Sequence, residues 1–393
     1  MLLYITEVDI SKDNGPGINE REFVTALLDQ ASDVACIAPS PSKPGQHFDR
    51  RIQYVPVPDG PQWFRGLAFA RGVVGRAKSL NHLHGIDGIG IRIGALPILP
   101  SWLSYAIGAP IFLKTLAGYG IFGADAERRF RVVAPVLKPF YRRAIREAAL
   151  ADTVSRAYVP WLSETFDVAI EKLELIPNGA NTDTFTPGER DAARKALSLD
   201  QFDRIVGYVG ALHGWRDLGT LIEAFARAEL PNGAALVLVG DGPSRPELEA
   251  RIANLGMAGR VVLTGHVPYA LVPTYMRALD VAVALTVIEM QLRGRREVGS
   301  FSQKIPQYLA CGLPVITWSV PDTVFLDEEG IGRTVEHADM PALAKALGRL
   351  IGCDEQQRVE MGHRARSYAV ERLSSKVLAR QRLDLWRRSL DHA

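Results

Sequence analysis

The chain has 393 residues, enough for roughly two to three domains' worth of core, and its 46 Lys and Arg against 44 Asp and Glu leave no charge excess that would draw it to nucleic acid. Cys36, Cys311 and Cys353 are odd in number and widely spaced, which excludes a disulfide framework and a paired-Cys metal site and fits small core residues in a reducing compartment. Glu7 arrives too early for a signal peptide, so the expectation is a cytoplasmic chain.

In chain order, Met1–Thr6 reads as a strand, Asn14–Gly17 as a Gly-rich turn, Glu20–Gln30 as an amphipathic helix and Val34–Ala38 as the next strand. Trp63–Leu80 sets Trp63, Leu67 and Val74 on one helical arc with Arg65, Arg71, Arg76 and Lys78 around it. Gly85, Gly88 and Gly90 have suggestive spacing but precede a strand, so they do not form a dinucleotide fingerprint. From Ile93 to Leu113 no charge occurs for 21 residues, a membrane-spanning length. Pro97, Pro100 and Pro110 instead divide it into a strand ending near Ile93, a loop, a short helix at Trp102–Ile107 and a strand at Pro110–Leu116. Arg128, Arg129, Arg131, Lys138, Arg142, Arg143 and Arg146 then follow with no acid among them. Both basic segments suit anionic lipid headgroups or a lipid-diphosphate acceptor, and equally suit helices whose Arg stems cover a core with solvated charges.

Ile176–Gly188 is rich in Pro, Gly, Asn and Thr and reads as a loop and hinge. Beyond it, strands at Arg204–Val209, Ala235–Val239, Arg260–Leu263, Val281–Leu285 and Val315–Thr317 alternate with helices at Leu218–Ala228, Pro246–Leu255, Val272–Ala278 and Ser302–Cys311. This is the pattern of a doubly wound sheet, whose ligands sit at the carboxyl ends of strands. The chain has no Gly-x-x-x-x-Gly-Lys-Ser/Thr, His-Glu-x-x-His or Gly-x-Ser-x-Gly.

Residues 299–316 are the most informative stretch: a polar loop, a helix N-terminus, a short helix, a Gly stop and a buried strand. Ser300, Phe301, Ser302 and Gln303 are placed to offer backbone N–H groups to an anion. Lys304 in the first turn opposes the helix dipole, so a bound anion explains it better than helix stability does, the alternative being a solvated surface Lys.

This run resembles the donor-phosphate helix of the family 4 glycosyltransferases, whose usual form is Ser-Pro-x-Lys-x-x-Glu-Tyr-x-Ala-x-Gly-x-Pro-Val. Other pieces fall in the same order: Pro177-Asn178-Gly179, Asp183 to Pro187, Val206 to Leu212, Leu238 to Pro243, and Val262 to Val267. Gly15-Pro16-Gly17-Ile18 and Ala151 to Ser155 match less specifically. The resemblance implies a GT-B fold of two Rossmann-like doubly wound domains with an interdomain cleft. Residues 1–180 would bind acceptor, 189–372 would bind the nucleotide sugar, and 373–393 would form a helix packing back on the first domain. It also implies metal-independent transfer of a hexosyl group, with retention, from a nucleotide-diphosphate sugar to a glycan or lipid-linked acceptor in polysaccharide or glycoconjugate synthesis. The nucleotide sugar would be substrate, no further cofactor is expected, and the inner face of the membrane would be visited peripherally.

In that reading Arg216 and Lys304 stabilise the departing diphosphate, and Gly15, Gly17 and Gly210 let backbone approach it. Asp217 beside Arg216 leaves a surface salt bridge as the alternative. His266 lies near the base or is simply a loop residue. The chain departs from the family at Gly299 and Gln307, where glutamates are usual, at Ala211 in place of Arg, and at Ala117 in place of His. Gln307 can still accept from a ribose hydroxyl, while the sugar would be read by Glu297 or Glu289. These losses keep a second function class open, a catalytically degenerate subunit that binds nucleotide, glycan or a partner enzyme.

Overall fold

The computed structural model describes the chain except residues 43–47, 95, 116–133, 287–288, 293–294, 299–300 and 392–393. It divides into two compact units, Met1–Pro177 with Ser375–Ala393, and Asn178–Ser374.

The first unit is a parallel sheet of β1 (Leu2–Ile5), β2 (Val34–Pro39), β3 (Ile52–Val55), β4 (Gly88–Arg92), β5 (Ile111–Thr115), β6 (Leu150–Thr153) and β7 (Leu173–Leu175), in the order β3-β2-β1-β4-β5-β6-β7. The order reverses between β1 and β4, the topological switch point of a doubly wound sheet. Helices α1 (Gly15–Gln30), α2 (Gln62–His84), α3 (Leu99–Ile107), α4 (Ala134–Glu147) and α5 (Tyr158–Phe166) flank it. The uncharged stretch after β4 is therefore broken into α3 and β5, and no described helix is long and apolar enough to cross a membrane. Where the sequence suggests a turn at Asn14–Gly17, α1 has already begun: Asn14 caps it by accepting from Gly17 N at 2.9 Å, and Pro16 fits the first turn, where no amide partner is needed.

The C-terminal helix Ser375–Asp391 belongs to this unit and covers α1. Its Trp386 stacks on Tyr4 and Phe112, at 6.1 and 5.6 Å between ring centroids. A Cβ on Gly90 would come within 2.8 Å of that indole, so this glycine makes room for packing and not for a phosphate. Arg382 of the same helix donates to both oxygens of buried Asp152, at 2.7 and 3.2 Å. Beside it, Glu20 is wholly buried and accepts from Arg92 at 2.9 Å, from Lys114 at 3.1 Å and from the Tyr4 hydroxyl. Burial acts to raise the Glu20 carboxyl pKa, but Lys114, Arg92 and the Tyr4 bond outweigh it and hold it down to about 2. Strand alternation therefore turns Lys114 into the core, its ammonium 3.8 Å over the Phe23 ring.

The second unit is a parallel sheet of β8 (Arg204–Val209), β9 (Ala234–Val239), β10 (Val261–Leu263), β11 (Val281–Val283), β14 (Val315–Trp318) and β15 (Gly332–Val335), in the order β10-β9-β8-β11-β14-β15. An antiparallel hairpin, β12 (Glu289–Leu292) and β13 (Arg295–Val298), lies in the chain between β11 and β14. The helices are α6 (Arg190–Ala196), α7 (Leu218–Arg227), α8 (Arg245–Asn254), α9 (Val272–Ala278), α10 (Lys304–Ala310), α11 (Phe325–Glu328), α12 (Met340–Ile351) and α13 (Glu355–Arg372). Two apolar cores form, one around Phe185, Phe301 and Tyr308 and the other around Phe225 and Trp318. Arg194 and the amide of Ile205 both donate to buried Asp280, which fixes α6 against the foot of the sheet. Ala180 N donates to Leu373 O at 2.9 Å, so the segments where the chain enters and leaves this unit lie side by side.

Candidate functional site

Three groups meet at the carboxyl end of the second sheet: the loop after β8, the residues after β11 and the start of α10. The strand order reverses between β8 and β11, so they flank the switch point where doubly wound sheets bind ligands. Arg216 ends a single 3-10 turn, Gly214–Arg216, and donates through Nη1 to Thr286 Oγ1 at 2.8 Å. Its guanidinium lies 3.7 Å over the Trp215 ring, and Trp215 is stacked with His213 at 5.6 Å. Contact with Thr286 and Trp215 aims the planar fork before any ligand arrives.

Lys304 opens α10 beside it. Burial pulls the pKa of this ammonium well below the lysine range, and the neighbouring Arg216 cation pulls it further. The residue is partly exposed, but its charged end sits in densely packed surroundings 5.4 Å from the Tyr208 ring centroid. Among the described residues no carboxylate pairs with Lys304. Gly210 explains how the ammonium fits: a Cβ there would lie 2.8 Å from Lys304 Nζ and closer still to Cε, and its φ of 145° is one that L side chains rarely adopt. Burial also raises the Tyr208 hydroxyl to about 12, and that hydroxyl donates to Ala211 O at 2.9 Å.

The adjoining loops are laced by backbone. Gly210 N donates to Val239 O at 2.8 Å, Leu212 N to Asp241 O at 3.0 Å, and Gly240 pairs with Gly265 in an isolated bridge. Asp241 Oδ1 accepts from Gly242 N, a turn role. His266 follows Gly265, exposed at the mouth of β10. At α10, Phe301 and Ser302 are buried and Gln303 is the N-cap, its side chain making no capping bond. Phe301 packs its ring into the core at 6.3 Å from Phe325, so its contribution to a ligand would be its amide alone. Among the described residues no acceptor takes the amides of Phe301, Ser302 or Gln303. Gln307 is 8% exposed, one turn on from Lys304. Val209 N donates to Tyr308 Oη at 2.8 Å, which pins α10 to the end of β8.

The structure thus brings together Arg216, Lys304, Gly210 and the first turn of α10. Gly15 and Gly17 lie in the other unit, at the start of α1; nothing stands within 4 Å of a Cβ on Gly15, whereas one on Gly17 would lie 3.1 Å from Asp9 O and overlap Lys12 O. Gly17 is thus accounted for by close loop packing. Gly299, Ser300 and Ala117 lie outside the described residues, and Glu297 is described only as backbone of β13. Sequence reasoning missed Thr286, Tyr208 and Trp215. Thr286 had one signal available, its place just beyond a switch-point strand.

Residues 203–352, which contain all of this site, match the sequence pattern of the family described as Glycosyl transferases group 1. The 2-deoxystreptamine N-acetyl-D-glucosaminyltransferase of Streptomyces fradiae is 29% identical over 273 residues, 65% of this chain and 60% of that protein. Over that segment the chain is similar to the group 1 glycosyltransferases. A second relative, the alpha-D-kanosaminyltransferase of Streptomyces kanamyceticus, is 26% identical over 336 residues, 80% of this chain and 82% of that one. The chain therefore spans 60% to 82% of the length of these two glycosyltransferase relatives. The fold is GT-B, as in Anabaena HepE, solved in complex with UDP (TM-score 0.71, 16% identity, 98% of each chain), and in a sucrose-phosphate synthase from Thermosynechococcus elongatus (TM-score 0.72, 18% identity, 100% of each chain).

Proposed function

We propose that the chain transfers a hexosyl group, with retention and without a metal ion, from a nucleotide-diphosphate sugar to a hydroxyl of a glycan or lipid-linked acceptor. The observation that carries this reading is the pair Lys304 and Arg216, two neighbouring cations at a switch point, one with its pKa depressed by burial and by the other's charge. Two such cations favour an anion that spans both, and a diphosphate carries that charge over two phosphorus centres. HepE binds UDP and UDP-glucose on the same fold, which supports the donor class. Relatives named for 2-deoxystreptamine and for D-inositol 3-phosphate support a polyhydroxylated acceptor.

In the reaction so drawn, the bond from the anomeric carbon to the diphosphate oxygen breaks and a bond to the acceptor oxygen forms on the same face. The acceptor's proton passes to a phosphate oxygen of the leaving group. Arg216, Lys304 and the first-turn amides of α10 hold the charge that develops there, and that is where differential stabilisation acts.

The test is calorimetric titration with UDP, GDP and their sugars in EDTA. The parent should bind one nucleotide diphosphate and hydrolyse or transfer its sugar. Arg216→Ala and Lys304→Ala should each weaken binding about 10- to 150-fold, the equivalent of about 1.5–3 kcal/mol for a charged hydrogen bond, with the fold intact. Unchanged affinity in both variants, or strict dependence on magnesium, would overturn the assignment. Binding without any turnover would leave the chain as a non-catalytic subunit.

A further inference from the structure

Arg216 and Lys304 differ in one chemical respect. A guanidinium keeps its charge at any pH at which a protein stays folded, whereas an ammonium can release a proton. Where the two stand together without an anion, only Lys304 can relieve the repulsion.

The groups around Lys304 do little to hold its proton. From β8, the centre of the Tyr208 ring lies 5.4 Å from Nζ, and the Tyr208 hydroxyl donates to Ala211 O at 2.9 Å. Gly210 stands so close that a Cβ there would lie 2.8 Å from Nζ. The loop after β8 brings the Arg216 charge itself, aimed by Thr286 beyond β11, and His213, which is stacked on Trp215. Within α10, Gln303 and Gln307 are neutral and the Tyr308 hydroxyl accepts from Val209 N at 2.8 Å. Helix α13 brings Arg366 to the far end of α10, where it donates to Ala310 O. The carboxylates of the adjoining loops are engaged elsewhere: Asp217 accepts from Thr220 Oγ1 at 2.5 Å, and Asp241 accepts from Gly242 N with Arg245 3.8 Å away. Glu289 and Glu297 belong to the hairpin and are described there only as backbone. Among the described residues Lys304 Nζ makes no hydrogen bond and no ion pair. Burial and the Arg216 charge act in the same direction, and both lower its pKa.

A diphosphate reverses each of these conditions. Its oxygens give Nζ the acceptors it lacks, and its charge offsets that of Arg216. On the donor reading of this site, we infer that the second unit binds a nucleotide diphosphate and a proton together, the proton entering on Lys304 Nζ. The proton comes from solvent and adds to the amine lone pair, and no bond of the nucleotide changes. At low pH the amine is protonated with or without ligand and nothing is taken up. Between the depressed value of the free protein and the higher value of the complex, each diphosphate brings a proton with it, and affinity falls about tenfold per pH unit.

The test is calorimetric titration of the full chain with UDP at mildly alkaline pH, in Tris and in HEPES, whose ionisation enthalpies differ. The last ionisation of the diphosphate, at about 6 as for a phosphate ester, is then complete, and histidines are neutral. The apparent binding enthalpy of the parent should differ between the two buffers in the sense of uptake by the complex, rising towards one proton as pH rises. Lys304→Arg, whose charge is permanent, and Lys304→Met, which has none, should each give one enthalpy in both buffers and an affinity independent of pH. Cooperative melting of each variant shows that the fold is kept, and either variant alone decides the matter. Equal enthalpies in the two buffers for the parent overturn the inference, as an ammonium already charged against a hairpin carboxylate would give. Uptake that both variants retain also overturns it, because the proton then enters on another group. No binding of UDP, GDP or inorganic pyrophosphate at any pH overturns the donor reading and the inference together, whereas binding without uptake overturns the inference alone.

Discussion

Gly210→Ala separates the two things this glycine does. Its φ of 145° places it in a region almost reserved for glycine, and the added Cβ would stand 2.8 Å from Lys304 Nζ. Strain of that kind costs about 1–3 kcal/mol. The second unit has 197 residues, from Asn178 to Ser374, so at about 2–4 °C per kcal/mol the melting temperature should fall by about 2–12 °C. The clash is of another kind, because the obstacle is the far end of a flexible side chain that can swing away, which costs little stability but carries the ammonium off its site. Nucleotide-diphosphate affinity should therefore drop by about as much as in Lys304→Ala, about 10-fold or more. The double variant Gly210→Ala/Lys304→Ala resolves the two: it should keep the loss in melting temperature and show no further loss of affinity, a coupling between neighbours that share one space. Gly15→Ala is the control, with nothing within 4 Å of its Cβ and no positive φ, and it should melt with the parent or slightly above it. Scanning calorimetry and nucleotide titration on the parent and the four variants decide the matter. A Gly210→Ala protein that melts and binds like the parent would refute the reasoning.

Gln307→Glu puts a carboxylate one turn after Lys304, so it should melt within a degree or two of the parent and bind nucleotide diphosphate equally or about 1 kcal/mol more tightly; thermal shift with and without UDP reads both, and earlier unfolding with no gain from nucleotide would count against a ribose contact at this position. Glu20→Gln leaves Lys114 and Arg92 buried without their carboxylate and should cost about 3–5 kcal/mol in urea unfolding at neutral pH. Because the folded carboxyl titrates at about 2, below its unfolded value of 4.5, its stabilisation is complete above the latter and fades as pH falls through the former; the gap between parent and variant should therefore narrow over that window, and a gap independent of pH would show that charge is not its source.

Regular elements of the second unit were legible because each obeys a local rule. Arg204–Val209 and Val272–Ala278 have the limits that periodicity alone suggests, and Leu218–Arg227 differs by one residue. The strands β6, β7 and β15 were not seen, since three or four residues such as Leu173–Leu175 carry too little pattern without the neighbours they pair with. The start of α1 was misplaced for a related reason. Gly-Pro-Gly after Asn14 has turn chemistry, and only the cap bond from Gly17 N to Asn14 shows that the helix has begun.

The charges were least legible, because sequence gives their number and not what surrounds them. Glu20 has the look of a solvated residue on an amphipathic helix, yet it is buried between Lys114 and Arg92, which come from strands some seventy to ninety residues later. Lys304 was legible for the opposite reason: a lysine in a first turn opposes its helix dipole, so local physics already requires a compensating group. Nothing in the sequence places Thr286 against Arg216, because that contact exists only once β11 lies beside β8. A buried carboxylate that finds its cations in the fold stabilises the first unit, whereas a cation that finds another cation and no described carboxylate destabilises the second until an anion arrives. Such a site should therefore gain thermal stability from a nucleotide diphosphate, and more at low ionic strength, where screening between ligand and cations is weakest.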